Sequence, residues 1–246
     1  MIRLIAPFRP LPPESKYHLA LESFDWIGAL QMLSESAQRA CGVPVQVVTD
    51  VDTDLPLPML RYRTSHRRLM LWTLEACLAY LRSDDFDRDT IMLDVDQLIY
   101  RDLSPWFTGA DLGVLVRPGK MAHNALLNGV QWWAVKGKAR LVAFYQHALT
   151  LAEGLPEDSI IWGADTEAVR ELIAPIELGT HQRAGLSVAM IQSTEVLTTF
   201  TTTHALMLTQ GLLLPPAKAV VDFRGFRKLH MRAFYEATLG QREMVA

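Results

Sequence analysis

Apolar and polar positions along the first fifty residues follow patterns typical of a strand, a helix and a second strand. Residues 21–40 carry apolar side chains at helical spacing, and Gly42 marks the end of that predicted helix. The apolar runs 1–7 and 43–48 on either side predict strands. This order of elements favours an α/β fold with a parallel sheet.

The same kinds of pattern continue through the rest of the chain. Helical spacing predicts helices over residues 65–81, 138–152, 157–172 and 231–240. Apolar runs predict strands over residues 90–93, 111–116, 126–135, 186–191 and 217–223, and residues 51–62 between two such elements are predicted to be a loop. Asn128-Gly129 is also compatible with a hairpin turn. No repeat or linker composition divides the chain, so we expect a single domain, residues 1–246.

Composition and charge exclude several classes of protein. Hydrophobic residues make up 50% of the chain, which favours a sizeable core. The net charge of −3 gives no electrostatic argument for nucleic-acid binding. We expect no membrane span and no signal peptide, because no apolar run is long enough. Cys41 and Cys77 lie among apolar neighbours and are expected to be reduced thiols, which favours a cytoplasmic protein.

The strand predicted at residues 90–93 is followed at once by two carboxylates, Asp94 and Asp96. In a parallel sheet, ligands bind at the carboxyl ends of the strands. Neighbouring carboxylates repel one another and resist burial, so the two need a compensating positive charge. Mn²⁺ and Mg²⁺ take oxygen ligands of this kind, often together with substrate phosphates. The pattern indicates a metal site; the alternative is two solvated acids at a strand end.

A D-x-D segment after an apolar strand is also typical of haloacid-dehalogenase-type phosphatases, in which the first aspartate is the nucleophile. That motif normally opens its domain and continues with Thr or Val. In this chain the segment lies far from the start, and Gln97 follows it. The phosphatase alternative is therefore the weaker of the two.

A further acidic position closes the strand predicted at residues 217–223, where Asp222 is followed by Arg224, Gly225 and Lys228. An acid beside a cationic, glycine-containing loop suits one more metal ligand, together with charges for phosphate oxygens. The alternative is a surface ion pair between Asp222 and a neighbouring arginine.

Two other polar positions lie near the predicted starts of helices. Arg68 falls in the first turn of the helix predicted at residues 65–81, where a cation opposes the helix dipole. This placement favours either a phosphate partner or a solvated basic face. In the segment 157–172, Asp165 followed by Thr166 and Glu167 is typical of the point where the helix itself begins, so a helix cap is the structural role of Asp165.

Taken in order, these segments resemble glycosyltransferases of the GT-A fold, of the glycogenin and lipopolysaccharide-galactosyltransferase type (glycosyltransferase family 8-like). Arg68-Leu69 with Trp72 is similar to the family's K/R-L-x-x-W, and Asp94 and Asp96 match its metal-binding D-x-D. The resemblance covers residues 60 to 230, roughly, and no single motif in it is specific.

The later segments extend the resemblance. Asn128-Gly129-Val130 is similar to the family's N-S-G-V, and Asp165 to the Asp of G-D-Q. Residues 218–228 are close to K-V-V-H-F-x-G-x-x-K, but Asp222 stands where the family has His. The Ser of N-S-G is also missing, and Thr166 replaces the Gln that follows Asp165.

The resemblance implies a GT-A fold, in which two Rossmann-like halves share a mixed central sheet. It implies an enzyme that moves a sugar from a nucleotide diphospho-sugar, expected to be UDP-linked, to an unknown hydroxyl acceptor, with retention at the anomeric carbon. The acceptor could be a glycan, a protein, a metabolite or a modified nucleobase. The implied cofactor is Mn²⁺ or Mg²⁺, held by Asp94, Asp96 and Asp222.

The same resemblance implies the contacts to the donor. They involve Ala6 and Pro7 near the base, Asp94 near the ribose, and Arg68, Gly225 and Lys228 at the diphosphate. Asp165 and Asn128 are implied beside the donor sugar, where Asp165 would stabilise the developing positive charge or act as a nucleophile.

Two other functions are compatible with a related fold. A sugar nucleotidyltransferase would need a glycine-rich, basic first loop, which residues 6–13 lack. A non-catalytic nucleotide-sugar binder would bind the donor without releasing its sugar to water, whereas a transferase usually hydrolyses the donor slowly.

Overall fold

The computed structural model of the protein describes residues 2–10, 24–117, 119–120, 122–155, 163–213 and 216–239. The chain divides into two compact units. The first consists of Met1–Pro10, Gln46–Asp94 and Ser104–Ser193; the second consists of Leu11–Val45, Val95–Leu103 and Thr194–Ala246. Asp94 therefore belongs to the first unit, and Asp96 belongs to the second.

The strands, in chain order, are β1 (Arg3–Pro7), β2 (Val45–Asp50), β3 (Met59–Tyr62), β4 (Thr90–Leu93), β5 (Gln97–Ile99), β6 (Leu112–Val116), β7 (Leu126–Trp133), β8 (Gly179–Arg183), β9 (Leu186–Gln192), β10 (Leu197–Thr199) and β11 (Val220–Asp222). The α-helices are α1 (Trp26–Cys41), α2 (Leu69–Arg82), α3 (Ala122–Ala125), α4 (Lys138–Glu153), α5 (Ala164–Ile173), α6 (Ser193–Val196), α7 (Thr202–Thr209) and α8 (Met231–Thr238). Short 3-10 helices cover Ser104–Trp106, Val135–Gly137 and Gly225–His230.

The first unit is built on an eight-stranded sheet with the order β3-β2-β1-β4-β7-β6-β9-β8. β1 is parallel to β4 and β6 is parallel to β9, whereas β7 is antiparallel to both β4 and β6. The sheet is therefore mixed, and the prediction of an α/β fold with a mixed central sheet is confirmed.

The core of the first unit joins the sheet to three helices. α2, α4 and α5 pack against one another, and their apolar faces share one buried cluster with strand residues. Trp72 and Trp133 belong to this cluster, and Trp132 is also almost fully buried. Both tryptophans of β7 therefore belong to the core.

The second unit has a three-stranded sheet with the order β10-β11-β5. α1 packs on β5 and on α8, and α7 packs on α8. The carboxylate of Asp25 caps α1 by accepting a hydrogen bond from Gly28 N–H at 2.8 Å, and Gly42, with φ of 73°, ends it as predicted. Residues 21–23 of the predicted first helix lie outside the described residues.

The start of α2 was predicted wrongly. The sequence favoured a helix from residue 65, but α2 begins at Leu69, so the basic residues before it are not in its first turn. The physical reason is a contact with a side chain of α2 itself: the Glu75 carboxylate accepts hydrogen bonds at 2.8 Å from the backbone N–H groups of Ser65 and His66. The segment is thereby held outside the helix.

Other differences concern short or irregular elements. The loop predicted at residues 51–62 contains β3, and neither β5 nor β8 was predicted. Asn128-Gly129 is not a hairpin turn, because it lies inside β7. Residues 157–162 of a predicted helix and residue 240 of another lie outside the described part of the chain. Where the structure describes the chain, it contains no helix with both the length and the apolarity needed to cross a bilayer.

Candidate functional site

Asp96 and Asp222, two of the predicted metal ligands, lie beside each other in the second unit. β11 runs antiparallel to β5 with Asp222 opposite Gln97, and Phe223 N–H donates to the Asp96 carbonyl at 2.9 Å. Asp96 is only 8% exposed and Asp222 only 2%. We call these two residues the carboxylate pair.

Two cationic side chains compensate the carboxylate pair. The Lys228 ammonium lies 2.8 Å from Oδ2 of Asp96, and Arg224 Nε donates a hydrogen bond to Oδ2 of Asp222. The Lys228 ammonium also lies 4.7 Å from the ring centre of Trp26, where a cation is attracted by the aromatic face. The cluster thus combines two acids with two fixed cations.

The surroundings of Asp222 affect its ionisation. Burial raises the pKa of the Asp222 carboxyl above its ordinary value, and the negative charge of Asp96 raises this pKa further. The charge and hydrogen bond of Arg224 act in the opposite direction. A carboxylate in these surroundings is stabilised by additional positive charge, which a proton or a metal ion can supply.

The carboxylate pair suits a divalent cation through its oxygen atoms, which are the ligands that Mn²⁺ and Mg²⁺ prefer. Within the described ranges, however, no group of three or more His, Cys, Asp or Glu side chains is arranged to hold a metal ion. Asp94, the third predicted ligand, is exposed after the end of β4 in the first unit. The structure therefore groups two of the three predicted ligands.

The predicted diphosphate residues Gly225 and Lys228 follow β11. Gly225 has φ of 55°, a left-handed conformation that glycine adopts without steric cost. It opens the 3-10 helix Gly225–His230, in which Lys228 is buried while its neighbours Arg227 and Leu229 are exposed. The turn at Gly225 thus allows the chain to direct Lys228 back toward Asp96.

In the first unit, Asn128 and Asp165 form a second polar cluster, which we call the acid–amide pair. Nδ2 of Asn128 donates to Oδ2 of Asp165 at 3.0 Å. Asp94 lies close in the sheet, since its backbone N–H donates to the carbonyl of Gly129 at 2.9 Å. The predicted residues Asp94, Asn128 and Asp165 therefore belong to one region of the first unit.

The acid–amide pair is only partly accessible to water. Burial raises the pKa of Asp165 above its ordinary value, and hydrogen bonds from Thr166 and Asn128 act against this effect. The thiol of Cys77, on α2, also has its pKa raised, first by burial and then by the charges of Asp165 and Asp94. Asp165 follows the first residue of α5, whose N-cap is Gly163, so it does not occupy the capping position itself.

The residues of the first unit that are predicted to contact the nucleotide diphospho-sugar differ in their exposure to solvent. Ala6 is fully buried in β1, whereas Pro7 is half-buried. Arg68 occupies the N-cap position of α2 in an extended conformation, and its side chain is exposed. Arg68 thus lies at the helix end where backbone N–H groups and the helix dipole favour anions.

Hydrogen bonds of Arg9, which the sequence did not reveal, connect the end of β1 with the segment before α2. Arg9 donates hydrogen bonds to the carbonyls of His66, at 3.0 Å, and of Arg67. Its guanidinium lies 5.2 Å from the ring centre of Trp72 and 3.8 Å from a carboxylate oxygen of Asp50. In the sequence, only the position of Arg9 two residues after Pro7 pointed to a role near the nucleotide. Its partners are distant in sequence and could not be predicted.

Comparison with solved structures identifies the class of fold. The chain resembles a glycosyltransferase involved in the glycosylation of the major capsid of PBCV-1, with a TM-score of 0.56 and 10% identity, over 94% of this chain and 98% of that one. It also resembles the galactosyltransferase LgtC in complex with donor and acceptor sugar analogs, with a TM-score of 0.55 and 13% identity, over 97% and 96% of the two chains.

An active-site mutant of LgtC gives the same result, with a TM-score of 0.51 and 13% identity over 92% of this chain and 88% of that chain. No protein-family model matches the sequence, and no curated protein matches it significantly. At identities this low the likeness establishes the fold: this protein has the fold of the LgtC-like, GT-A glycosyltransferases, as the sequence resemblance implied.

Proposed function

We propose that the protein transfers a glycosyl group from a nucleotide diphospho-sugar to a hydroxyl acceptor. The observation that carries this proposal is the buried carboxylate pair, with Lys228 and Arg224 beside it, in a chain with a glycosyltransferase fold. Negative charge develops on the diphosphate as its bond to the sugar breaks. Fixed cations next to metal-binding oxygens stabilise such a leaving group.

The proposed cofactor is Mn²⁺ or Mg²⁺. Asp96 and Asp222 are the side chains that would hold the ion, and Asp94 is proposed as a further ligand or as a contact to the ribose. When bound, the ion would act as a Lewis acid toward the diphosphate. Asp222 in place of the family's His makes the ligands oxygen-rich, which favours these two ions over softer ones.

The donor contacts follow the family pattern. Ala6 and Pro7 are proposed to contact the base, and Arg68, Gly225 and Lys228 the diphosphate. The UDP-linked donor and the retention of configuration rest on the sequence resemblance. The acid–amide pair is proposed to lie beside the donor sugar, where ionised Asp165 stabilises the positive charge that develops at the anomeric carbon.

The acceptor is proposed to present a hydroxyl group. LgtC has been crystallised with donor and acceptor sugar analogs, and the other structural neighbour is involved in the glycosylation of the major capsid of PBCV-1, which makes glycan and protein acceptors the first classes to test. A metabolite or a modified nucleobase is a further acceptor class. The cytoplasmic location rests on the sequence alone and stays a proposal.

A thermal-shift screen of nucleotide diphospho-sugars, with Mn²⁺ and with EDTA, tests donor and metal together. We expect UDP-sugars to raise the melting temperature in Mn²⁺ and much less in EDTA, because ligands that bind the folded state stabilise it. The Asp96→Asn variant is expected to lose this response. Asp54→Asn, at a side chain that is 92% exposed, is the matched control and should keep it.

Asp222 provides the sharpest test of the metal ligands. Asp222→Asn is expected to reduce the rise in melting temperature that Mn²⁺ causes, because the amide is a weaker ligand than a carboxylate. Asp222→His is expected to retain part of it, since imidazole also binds Mn²⁺. An unchanged Mn²⁺ response in Asp222→Asn would show that the residue only pairs with Arg224.

A further inference from the structure

The acid–amide pair is connected to a buried glutamine whose role the proposed function does not include. Gln131, in β7, is 1% exposed. Its Nε2 donates to Oδ1 of Asn128 at 2.5 Å, and Asn128 in turn donates to Asp165 at 3.0 Å. A continuous chain of hydrogen bonds therefore leads from the core of the first unit to the Asp165 carboxylate.

Two hydrogen-bond donors in the core, Trp133 and Tyr145, determine the orientation of the Gln131 side-chain amide. The indole N–H of Trp133 donates to Oε1 of Gln131 at 2.9 Å, and the hydroxyl of Tyr145 donates to the same oxygen. An indole N–H can only donate, so the atom that it contacts must be the amide oxygen. Nε2 of Gln131 therefore faces Asn128.

The orientation of the Gln131 amide also determines the orientation of the Asn128 amide in the acid–amide pair. Because Nε2 of Gln131 is a donor, the atom of Asn128 that it contacts is the oxygen Oδ1. The remaining amide group of Asn128, Nδ2, is then directed at Asp165. In this network, which is buried at Gln131, Trp133 and Tyr145, turning one amide would leave donors and acceptors unmatched.

The backbone of β7 has an irregularity that makes this contact possible. In a regular strand, residues three apart point to opposite faces of the sheet, which would separate Asn128 from Gln131. The pairing of β7 with β6 shifts here: Val114 pairs with Gln131, but the next residue, Leu115, pairs with Leu127. The shift places Asn128 where its side chain meets that of Gln131.

We propose that Gln131 is a positioning residue, which orients the amide of Asn128 and through it holds the Asp165 carboxylate for sugar transfer. The inference rests on the proposed function, because it assigns Asp165 to the donor sugar. Gln131 does not contact the substrate. Trp133 and Tyr145 support it from the core, so the orientation is fixed before any ligand binds.

Gln131→Glu and Gln131→Met test the proposal. An ionised Glu side chain presents only acceptors to Oδ1 of Asn128, so the Asn128 amide is expected to turn and withdraw Nδ2 from Asp165. The Met side chain removes both hydrogen-bonding functions without adding a charge. For both variants we expect kcat for hydrolysis of UDP-galactose or UDP-glucose to fall by about 10–100-fold, the typical effect of losing an orienting partner.

The affinity for UDP alone, measured by calorimetry, is expected to stay within about twofold in both variants, because UDP lacks the sugar that Asp165 would contact. Gln146→Met is the matched control, since Gln146 is a surface glutamine that accepts a hydrogen bond from Arg82. It should leave kcat unchanged. A purely structural role for Gln131 would instead reduce kcat and UDP affinity together.

The orientation can also be tested in the unsubstituted protein. Nuclear magnetic resonance of the labelled chain should show slow exchange for the side-chain amide protons of Gln131 and for those of Asn128 that contact Asp165. Fast exchange of both groups would overturn the proposal, as would wild-type kcat in the folded Gln131→Met variant. Failure of the proposed function gives a different result: no turnover of either UDP-hexose in the wild-type protein.

Discussion

At the scale of single residues, two ion pairs of this chain differ mainly in how far their side chains are buried. Lys228 and Asp96 lie 2.8 Å apart, and each side chain is 11% exposed. Arg61 and Asp54 lie 3.0 Å apart, with side chains that are 43% and 92% exposed. Breaking a buried pair leaves a charge without a partner in a medium that stabilises it poorly, whereas water replaces the lost partner at the surface.

We therefore expect Lys228→Met to lower the free energy of unfolding by about 3–5 kcal/mol. Arg61→Met should change it by at most about 1 kcal/mol. Urea denaturation measures both values. Adding Asp96→Asn to Lys228→Met should recover part of the loss, because the unpaired charge is removed; a double variant less stable than Lys228→Met would contradict this account of the cluster.

Asp165 gives a prediction about pH. Its pKa is raised in the folded protein by burial, so the folded state favours the protonated carboxyl more than the unfolded chain does. This contribution to stability is complete below the unfolded pKa and is lost as pH rises through the folded pKa. Relative to wild type, Asp165→Asn should therefore become more stable as pH is raised from 3 to 7.

Denaturation of wild type and Asp165→Asn in urea at several pH values measures this difference directly. Other carboxyl groups cancel in the comparison, because both proteins contain them. A difference in unfolding free energy that stays constant, or that shrinks as pH rises, would show that burial does not dominate the surroundings of Asp165.

The sequence identified the charged residues of the candidate site better than their partners. Asp96, Asp222 and Lys228 follow recognisable strands and motifs, and the structure places them in one cluster. Trp26, which faces the Lys228 ammonium, was predicted only as part of a helix. Such a partner is brought close by tertiary packing, which leaves no local pattern in the sequence.

At the scale of elements, the segment before α2 depends on contacts with other parts of the first unit. Arg9, in the loop after β1, donates to the carbonyls of His66 and Arg67, directly before Arg68. Glu75 accepts from the backbone of Ser65 and His66. These contacts hold the residues that lead to the proposed diphosphate contact.

Replacing Arg9 by Met is expected to loosen residues 63–68, which hydrogen exchange detects as faster exchange of their backbone amides. UDP affinity should fall by roughly tenfold, since Arg68 loses its fixed support. Arg3→Met is the matched control, because Arg3 is the first residue of β1 and its side chain is similarly buried, 15% exposed against 14% for Arg9. Arg3→Met should leave exchange at residues 63–68 unchanged; equal effects of the two substitutions would contradict the account.

Elements with strong apolar patterns were predicted well, and those stabilised mainly by their neighbours were not. β4 coincides with the predicted strand 90–93, because all its residues are buried. β8, Gly179–Arg183, has no buried residue and owes its conformation to pairing with β9. For Asn128-Gly129 the sequence leaves a hairpin turn open within the predicted strand, because Asn-Gly favours such turns. The pairing of β7 with β6 shows an irregularity inside the strand instead.

At the scale of the whole molecule, the fold of a glycosyltransferase is present at 10–13% sequence identity. A fold shared at such distance does not by itself specify a reaction, because related folds serve different functions. The functional proposal therefore depends on the carboxylate pair and the acid–amide pair, one in each compact unit. Measuring the turnover of nucleotide diphospho-sugars tests whether these two clusters take part in sugar transfer.

The most direct measurement is release of sugar from UDP-hexoses by the wild-type protein in Mn²⁺ and in EDTA, with Asp96→Asn and Asp54→Asn as paired variants. The account predicts slow hydrolysis that requires Mn²⁺, persists in Asp54→Asn and falls by at least about 100-fold in Asp96→Asn, the scale of losing a group that stabilises the leaving charge. Hydrolysis equally fast in EDTA, or equally fast in Asp96→Asn, would contradict the central claim that the carboxylate pair serves a metal-dependent glycosyl transfer.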